Sequence, residues 1–206
     1  MVVTMWWLAI ALAAYLIGSI SFAVVVSRCW RLPDPRTFGS KNPGATNVMR
    51  TGRKSAALFT LLGDTVKGWF VVWAVMTWLP ASVGAPNTAL TAAVMGVMLG
   101  HVFPLYHGFT GGKGVATALG VLLALSPALG VSVLGVWLGI FLVSRISSLS
   151  ALLASVAAPI LAWYWLGQST LVFAVLGLSL LLLLRHKENI RNLLAGREGA
   201  FRQRKA

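Results

Sequence analysis

Residues 114–144 read GVATALGVLLALSPALGVSVLGVWLGIFLVS, an uncharged run that ends at Arg145. How this run is divided decides the topology. As one tilted helix it would strand Arg145, and after two more apolar segments the basic C-terminal end, on the side opposite the other cations. Split at Ser126-Pro127, it returns both to the same side. Proline lacks an amide donor and clashes with the preceding turn, so it interrupts a helix interior. The sequence therefore supplies a break where sidedness requires one. The first piece, Val115 to Leu125, would rise only about 17 Å as a helix, against a hydrocarbon core of about 30 Å. It is expected to be short or re-entrant. Such backbone is tolerated at membrane depth only where protein or water covers it, as for a half-helix whose N-terminus opens onto a polar site.

The rest of the chain follows the same logic. Of 206 residues, 58% are hydrophobic and 10% charged, where a soluble domain carries about 25% charged residues. The run Val2 to Ser27 has no charge and reads as a retained membrane anchor. Arg28, Arg31, Arg36, Lys41, Arg50, Arg53 and Lys54 fill the first connection, and Arg185, Lys187, Arg191, Arg197, Arg202, Arg204 and Lys205 fill the C-terminal end. Cytoplasmic loops are enriched in Lys and Arg, so both regions are placed inside and the N-terminus outside. Helices are expected over about 2–27, 55–79 and 88–106, with Pro80 to Asn87 as an external loop. Two more come from Ile146 to Leu184, divided near Gly167. The fold class is all-α and polytopic, with about seven hydrophobic helices. Residues 1–198 form one integral membrane domain and 199–206 a basic tail.

The net charge of +13 follows from the same bias, so no nucleic acid is expected as a partner. A basic inner face also attracts anionic headgroups. Cys29 is the single cysteine, which excludes an intramolecular disulfide. No His-Glu-x-x-His or cysteine pair indicates a metal, and no cofactor is expected. Only four residues are acidic, which leaves few candidates for a carboxylate base. No His-x4-Asp pair occurs: the residues five places after His101, His107 and His186 are Tyr106, Gly112 and Arg191.

Four polar segments stand out. In Gly39-Ser40-Lys41-Asn42-Pro43-Gly44-Ala45-Thr46-Asn47-Val48-Met49-Arg50, Pro43-Gly44 fits the centre of a type II turn. Thr46 or Asn47 can cap a following helix. Free amides at a helix start, with a hydroxyl and a guanidinium nearby, suit a phosphate. An ordinary polar loop is the plain alternative. In Gly108-Phe109-Thr110-Gly111-Gly112-Lys113-Gly114-Val115-Ala116-Thr117, the glycines let backbone approach an anion and Lys113 adds a point charge. The Gly-x4-Gly-Lys-Ser/Thr spacing of a Walker A loop is absent, and a flexible connection would look similar. In Arg185-His186-Lys187-Glu188-Asn189-Ile190-Arg191, a continuing last helix would put His186 and Asn189 on one face, with Glu188 and Arg191 paired on another. A solvated helix end whose cations complement its dipole is the alternative. Finally, Asp64 and Lys67 lie one turn apart inside a span. Charges there are costly and face protein or water, so a mutual ion pair supporting the site wall is expected. His101 follows the small-residue pair Gly96 and Gly100, which favours close helix packing, and is read as a packing histidine.

Taken together, these segments resemble the bacterial acyl-phosphate-dependent glycerol-3-phosphate acyltransferases. Three motifs carry the resemblance: 39–47 with Arg50, 111–117, and 186–191. The runs 62–68 and 100–104 look like further family features. The resemblance implies transfer of a fatty acyl group from acyl phosphate to the C1 hydroxyl of glycerol 3-phosphate, giving lysophosphatidic acid and phosphate at the start of bacterial phospholipid synthesis. It implies catalytic roles for Ser40, His186 and Asn189. It implies a role for Arg50, phosphate binding by the glycine-rich segment Gly111, Gly112, Lys113 and Gly114, and a structural role for Glu188. The residues themselves add Thr46 and Asn47, with Arg50, as phosphate-binding candidates and Asp64, Lys67 and His101 as structural support. The enzyme would sit in the inner membrane, with its C-terminus and site facing the cytoplasm. Two rivals remain on the residues alone. An anion transporter would also want helix N-termini and cations near the membrane, but it would not gather nearly all its cations on one face. A scaffold could bind anionic lipid through the tail.

Overall fold

The structure is a computed structural model and describes residues 2–79 and 86–199. Its helices are α1 (Val2–Gly18), α2 (Phe22–Cys29), α3 (Ala45–Val48), α4 (Lys54–Trp78), α5 (Pro86–Val102), α6 (Val115–Leu125), α7 (Pro127–Ser144), α8 (Ser147–Leu166), α9 (Leu171–Arg185) and α10 (Lys187–Leu194). Short 3-10 turns follow α3 and α5. Five helical segments are long and apolar enough to cross a membrane, and α6 and α9 are shorter apolar helices. With α1 and α2 counted as one span, these are the seven apolar segments expected. Most of the Pro80 to Asn87 segment, and the tail beyond Gly199, lie outside the described residues.

The break inside 114–144 falls where sidedness places it. Ser126 caps α7, its hydroxyl accepting from the Leu129 amide at 3.4 Å, and Pro127 takes the first helical position. There its missing N–H costs nothing, because the first amides of a helix have no internal partner. Arg145 ends α7 in the left-handed conformation, and α8 starts two residues later. The helix expected to reach residue 106 stops at Val102, because Pro104 biases the residue before it away from helical geometry.

One expected helix is divided. The first span does not run unbroken over 2–27 but opens at Ser19-Ile20-Ser21, between α1 and α2. The freed groups are met by other segments. The ammonium of Lys67, from α4, donates to the Ile20 carbonyl at 2.7 Å. The Leu105 amide donates to the Ser19 hydroxyl at 3.2 Å.

Helix α5 is the hub. Val94, Val97 and Met98 have no exposed surface, and one apolar cluster joins α5 to α1, α4, α6 and α9. A second cluster joins α6, α7, α8 and α9. Lipid tails give helices no hydrophobic reason to associate, so close backbone approach at small residues does that work. At the crossing of α5 and α1, a Cβ on Gly100 would stand 2.1 Å from the Tyr15 carbonyl oxygen. At the crossing of α6 and α4, a Cβ on Gly120 would stand 1.9 Å from the Thr65 carbonyl oxygen. These crossings hold the loops after α2 and α5 beside the ends of α6 and α9.

The packing sets up a paired test. Gly120→Ala should lower the unfolding temperature in detergent, at a cost of about 1–3 kcal/mol for overpacking. Gly135→Ala on α7, where nothing lies within 4 Å, should be neutral or raise it, by up to about 1 kcal/mol. Equal effects from the two would contradict the close α4–α6 crossing.

Candidate active site

The first motif forms a stitched loop. Asn47 is buried, and its amide oxygen accepts from the Ser40 backbone N–H at 3.1 Å. Its amide nitrogen donates to the carbonyls of Pro35 at 2.7 Å and Phe38 at 3.1 Å. Both amide hydrogens are thus used, so Asn47 holds the loop and has no donor left for a phosphate. The expected cap and turn also change. Gly44 precedes α3 with no side-chain cap, and its φ of −159° is extended rather than the positive value a type II turn requires. The left-handed positions are Gly39 and Lys41. A Cβ on Gly39 would lie 2.9 Å from Arg50 Nη1, so the guanidinium folds back over this turn. Ser40, Thr46 and Arg50 are exposed on the loop. Asp34 and Arg36 pair at 2.6 Å, and Arg36 also donates to the His107 carbonyl at 3.3 Å, tying this loop to the turn after α5.

The second motif lies between α5 and α9. The Gly112 amide donates to the His101 carbonyl at 3.1 Å. On the other side, Arg185 donates from Nη2 to the Gly111 carbonyl at 3.2 Å and from Nε to the Gly112 carbonyl at 3.4 Å. Gly112 therefore contributes shape rather than a free amide. A Cβ there would lie 2.2 Å from His101 Nε2 and 3.0 Å from the Pro43 carbonyl oxygen, so the first and second motifs meet at this residue. Gly114 has φ of +90° and starts α6, a conformation that only glycine adopts freely.

The third motif completes the cluster. Helix α9 ends at Arg185 and α10 begins at Lys187, so the last helix does not simply continue; His186 sits at the joint. It is buried, and its Nδ1 lies 2.8 Å from the Leu182 carbonyl. A carbonyl only accepts, so this contact puts the proton on Nδ1 and leaves Nε2 with its lone pair. Burial pushes the imidazole down to about 4; Lys113 and Arg185 add to the shift, and the Leu182 bond and Glu198 oppose it. Asn189 accepts from the Lys113 ammonium and donates to Glu198 at 2.5 Å. The ammonium only donates and the carboxylate only accepts, which fixes the amide's orientation. Burial lowers the Lys113 pKa, and Arg185 and Arg50 lower it further while Glu198 opposes them.

Beneath the site lies a charged cluster. Lys67 and Asp64 approach to 2.7 Å with 3% side-chain exposure each. His101 Nδ1 lies 3.7 Å from the same Asp64 oxygen and 3.2 Å from Thr117 Oγ1. The expected ion pair is present, and it reaches further than expected, to His101 under the glycine-rich loop. Glu188 pairs with Arg191 at 2.8 Å on the surface, both well exposed, where such pairs contribute about 0–1 kcal/mol. The carboxylate that enters the site is Glu198, which also accepts from Ser148 at 2.5 Å. The sequence reading assigned no role to Glu198, Ser148 or Arg185. For Arg185 a signal existed, since it stands four residues before Asn189, a spacing that shares a helix face. No group of three metal-binding side chains occurs among the described residues.

The loop after α2, the glycine-rich loop and the α9–α10 joint thus meet with Arg50, Lys113 and Arg185 around them. This arrangement has close relatives. The sequence profile described as glycerol-3-phosphate acyltransferase matches residues 8–196. The chain belongs to the glycerol-3-phosphate acyltransferase family. A glycerol-3-phosphate acyltransferase of Cupriavidus pinatubonensis is 52% identical over 195 residues, covering 95% of this chain and 96% of the relative. One from a Janthinobacterium species is 53% identical with the same coverage. The crystal structure of PlsY, an integral membrane glycerol 3-phosphate acyltransferase, in its glycerol 3-phosphate form superposes with a TM-score of 0.83. It shares 38% identity and covers 95% of this chain and 96% of its own. Its lysophosphatidic acid form gives 0.81 at 36% identity, covering 94% of each chain. The chain is therefore an integral membrane glycerol-3-phosphate acyltransferase acting in phospholipid synthesis.

Two predictions follow from these geometries. Lys67→Met should cost about 3–5 kcal/mol by leaving a buried carboxylate unpaired. Adding Asp64→Asn should recover part of that loss, read as unfolding temperature in detergent. His186 should stay neutral down to pH 5 by NMR. Its folded pKa of about 4 lies below the unfolded value of about 6.5, so its stabilising contribution is complete above pH 6.5. As the pH falls from there to about 4, the unfolded state takes up a proton the folded state refuses, and roughly 3 kcal/mol is lost. His186→Gln should remove that part of the acid sensitivity.

Proposed function

We propose that the acyl donor is a fatty acyl phosphate and that the C1 hydroxyl of glycerol 3-phosphate attacks its carbonyl carbon directly. The C1 oxygen–acyl bond forms, the acyl–phosphate bond breaks, and lysophosphatidic acid and inorganic phosphate leave. The observation that carries this reading is the convergence of Lys113, Arg185 and Arg50 without a carboxylate ion-paired to any of them among the described residues. Such a cluster suits two phosphate-bearing substrates and a developing oxyanion. Acyl phosphate is already activated, so holding two substrates in line supplies much of the acceleration.

Ser40, exposed on its loop, and Arg50 face the substrates from one side. Lys113, Gly111, Gly114 and the first turn of α6 face them from below, and His186 and Asn189 from α9–α10. The attacking hydroxyl gives its proton to a substrate phosphate oxygen. A phosphate monoester has its second pKa near about 6, whereas His186 holds a proton only near 4. His186 Nε2 instead accepts a hydrogen bond and orients the hydroxyl. The membrane is the bacterial inner membrane, with the N-terminus outside and the C-terminus and site in the cytoplasm, a sidedness supported by the bias of Lys and Arg toward cytoplasmic loops.

Purified protein given glycerol 3-phosphate and palmitoyl phosphate should release lysophosphatidic acid and phosphate in equal amounts. Ser40→Ala and His186→Ala should lower kcat/KM by about 10²–10³ with the fold intact by thermal unfolding. No product from the wild type would end the acyl-phosphate reading, and a trapped acyl-enzyme would replace direct transfer with a two-step route.

A further inference from the structure

We infer that Arg185 is a positioning residue for acyl transfer, a clamp that turns the glycine-rich loop so that its cation and the α6 amides face the substrates. The inference rests on the site proposed above and names a residue that the three motifs leave out.

The geometry begins with the peptide joining Gly111 and Gly112. A trans peptide points its carbonyl and its N–H in opposite directions. The carbonyl of this unit accepts from Arg185 Nη2 at 3.2 Å, and the N–H donates to the His101 carbonyl at 3.1 Å. One peptide is therefore strapped between α9 on one side and α5 on the other. The next peptide is held too, because its Gly112 carbonyl accepts from Arg185 Nε at 3.4 Å. The Lys113 N–H must then point away from Arg185, and no acceptor in the chain takes it among the described residues. Two adjacent glycines would otherwise rotate freely. Arg185 spends its fork on their carbonyls and so selects the rotation.

The guanidinium is itself fixed. It lies 5.7 Å from the centre of the Phe103 ring and is half-buried. No carboxylate pairs with it among the described residues. The same joint carries His186 and Asn189, and Asn189 accepts from the Lys113 ammonium. Arg185 and Asn189 thus lace the α9–α10 joint to consecutive residues of the loop, one through backbone and one through a side chain. A planar guanidinium can grip two carbonyls at a fixed spacing. A lysine ammonium is a point charge that cannot reproduce that fork.

The test uses the full chain carrying Arg185→Lys or Arg185→Gln. Two readouts are taken: steady-state kinetics with palmitoyl phosphate and glycerol 3-phosphate, and amide hydrogen exchange by mass spectrometry. In both variants the KM for at least one phosphate substrate should rise tenfold or more, and in the lysine variant, which keeps the positive charge, kcat should stay within threefold. Exchange across residues 108–117 should speed up at least tenfold, with the cores of α4 and α5 unchanged. A lysine variant with wild-type KM and wild-type exchange would overturn the inference, since charge alone would then suffice. Faster exchange throughout the bundle, with kcat lost in step with unfolding temperature, would also overturn it by making Arg185 a general packing residue. A wild type that cannot use palmitoyl phosphate would sink the donor reading instead, and the exchange result would still decide whether Arg185 holds the loop.

Discussion

Backbone that is neither helix nor sheet must find partners for its buried polar groups outside regular structure, and the loop between α5 and α6 finds them on two neighbouring helices. The His101 carbonyl and the Arg185 guanidinium satisfy the peptide of Gly111 and Gly112 from opposite sides. The Pro43 carbonyl and the His101 ring close on Gly112 so tightly that no side chain would fit. Shape and hydrogen bonding therefore agree on one conformation. The position of Lys113 follows from it, and so does the direction in which α6 starts. The break between α1 and α2 obeys the same rule, with Lys67 supplying the donor that the open turn lacks.

The supporting charges explain how polar groups can sit under such a loop. Asp64 is shared between Lys67 and His101, and His101 reaches Thr117 on α6. One carboxylate thus links α4, α5 and α6, and the Lys67 ammonium extends the link to the end of α1. A buried pair of this kind adds little net stability over an apolar replacement, because desolvation offsets the attraction. Its value lies in direction: hydrogen bonds fix where His101 points, and His101 lies against Gly112.

Much of this was legible in the residues because the governing signals are local. Pro127 marks the α6–α7 break by its own covalent structure. Asp64 and Lys67 announce a pair by being one turn apart in a span that tolerates no lone charge. The opening at Ser19-Ile20-Ser21 has no proline and no charge to mark it; it is stabilised by Lys67, more than forty residues away in sequence. Asn47 was visible as a polar residue of consequence, but an asparagine can cap outward or stitch inward. The choice was made by the Pro35 and Phe38 carbonyls. Arg185 looked like one more cation at a helix end, since its partners are backbone carbonyls of glycines, which leave no trace in composition. Glu198 reaches Ser148 and Asn189 only because the chain turns back after α10, with the Arg197 amide donating to the Asn192 carbonyl at 2.8 Å.

The scarcity of acids then acquires a physical meaning. The sequence holds 17 Lys and Arg against four Asp and Glu. Asp34 is held by Arg36, Asp64 by Lys67 and His101, and Glu188 by Arg191. Glu198 alone reaches the site, and there it accepts from two neutral groups. A half-buried cation ordinarily acquires a carboxylate partner, because an unpaired charge is costly away from water. Lys113 and Arg185 lean instead on neutral oxygens, an amide for one and two carbonyls for the other. Neutral acceptors offset part of the desolvation cost without cancelling the field. On the proposed reading, the charge that remains attracts a phosphate and stabilises oxyanions as they develop. On the proposed chemistry, with an activated donor, that residual field matters more than a strong base. This fits a site in which His186 is kept neutral and the cations are kept unpaired.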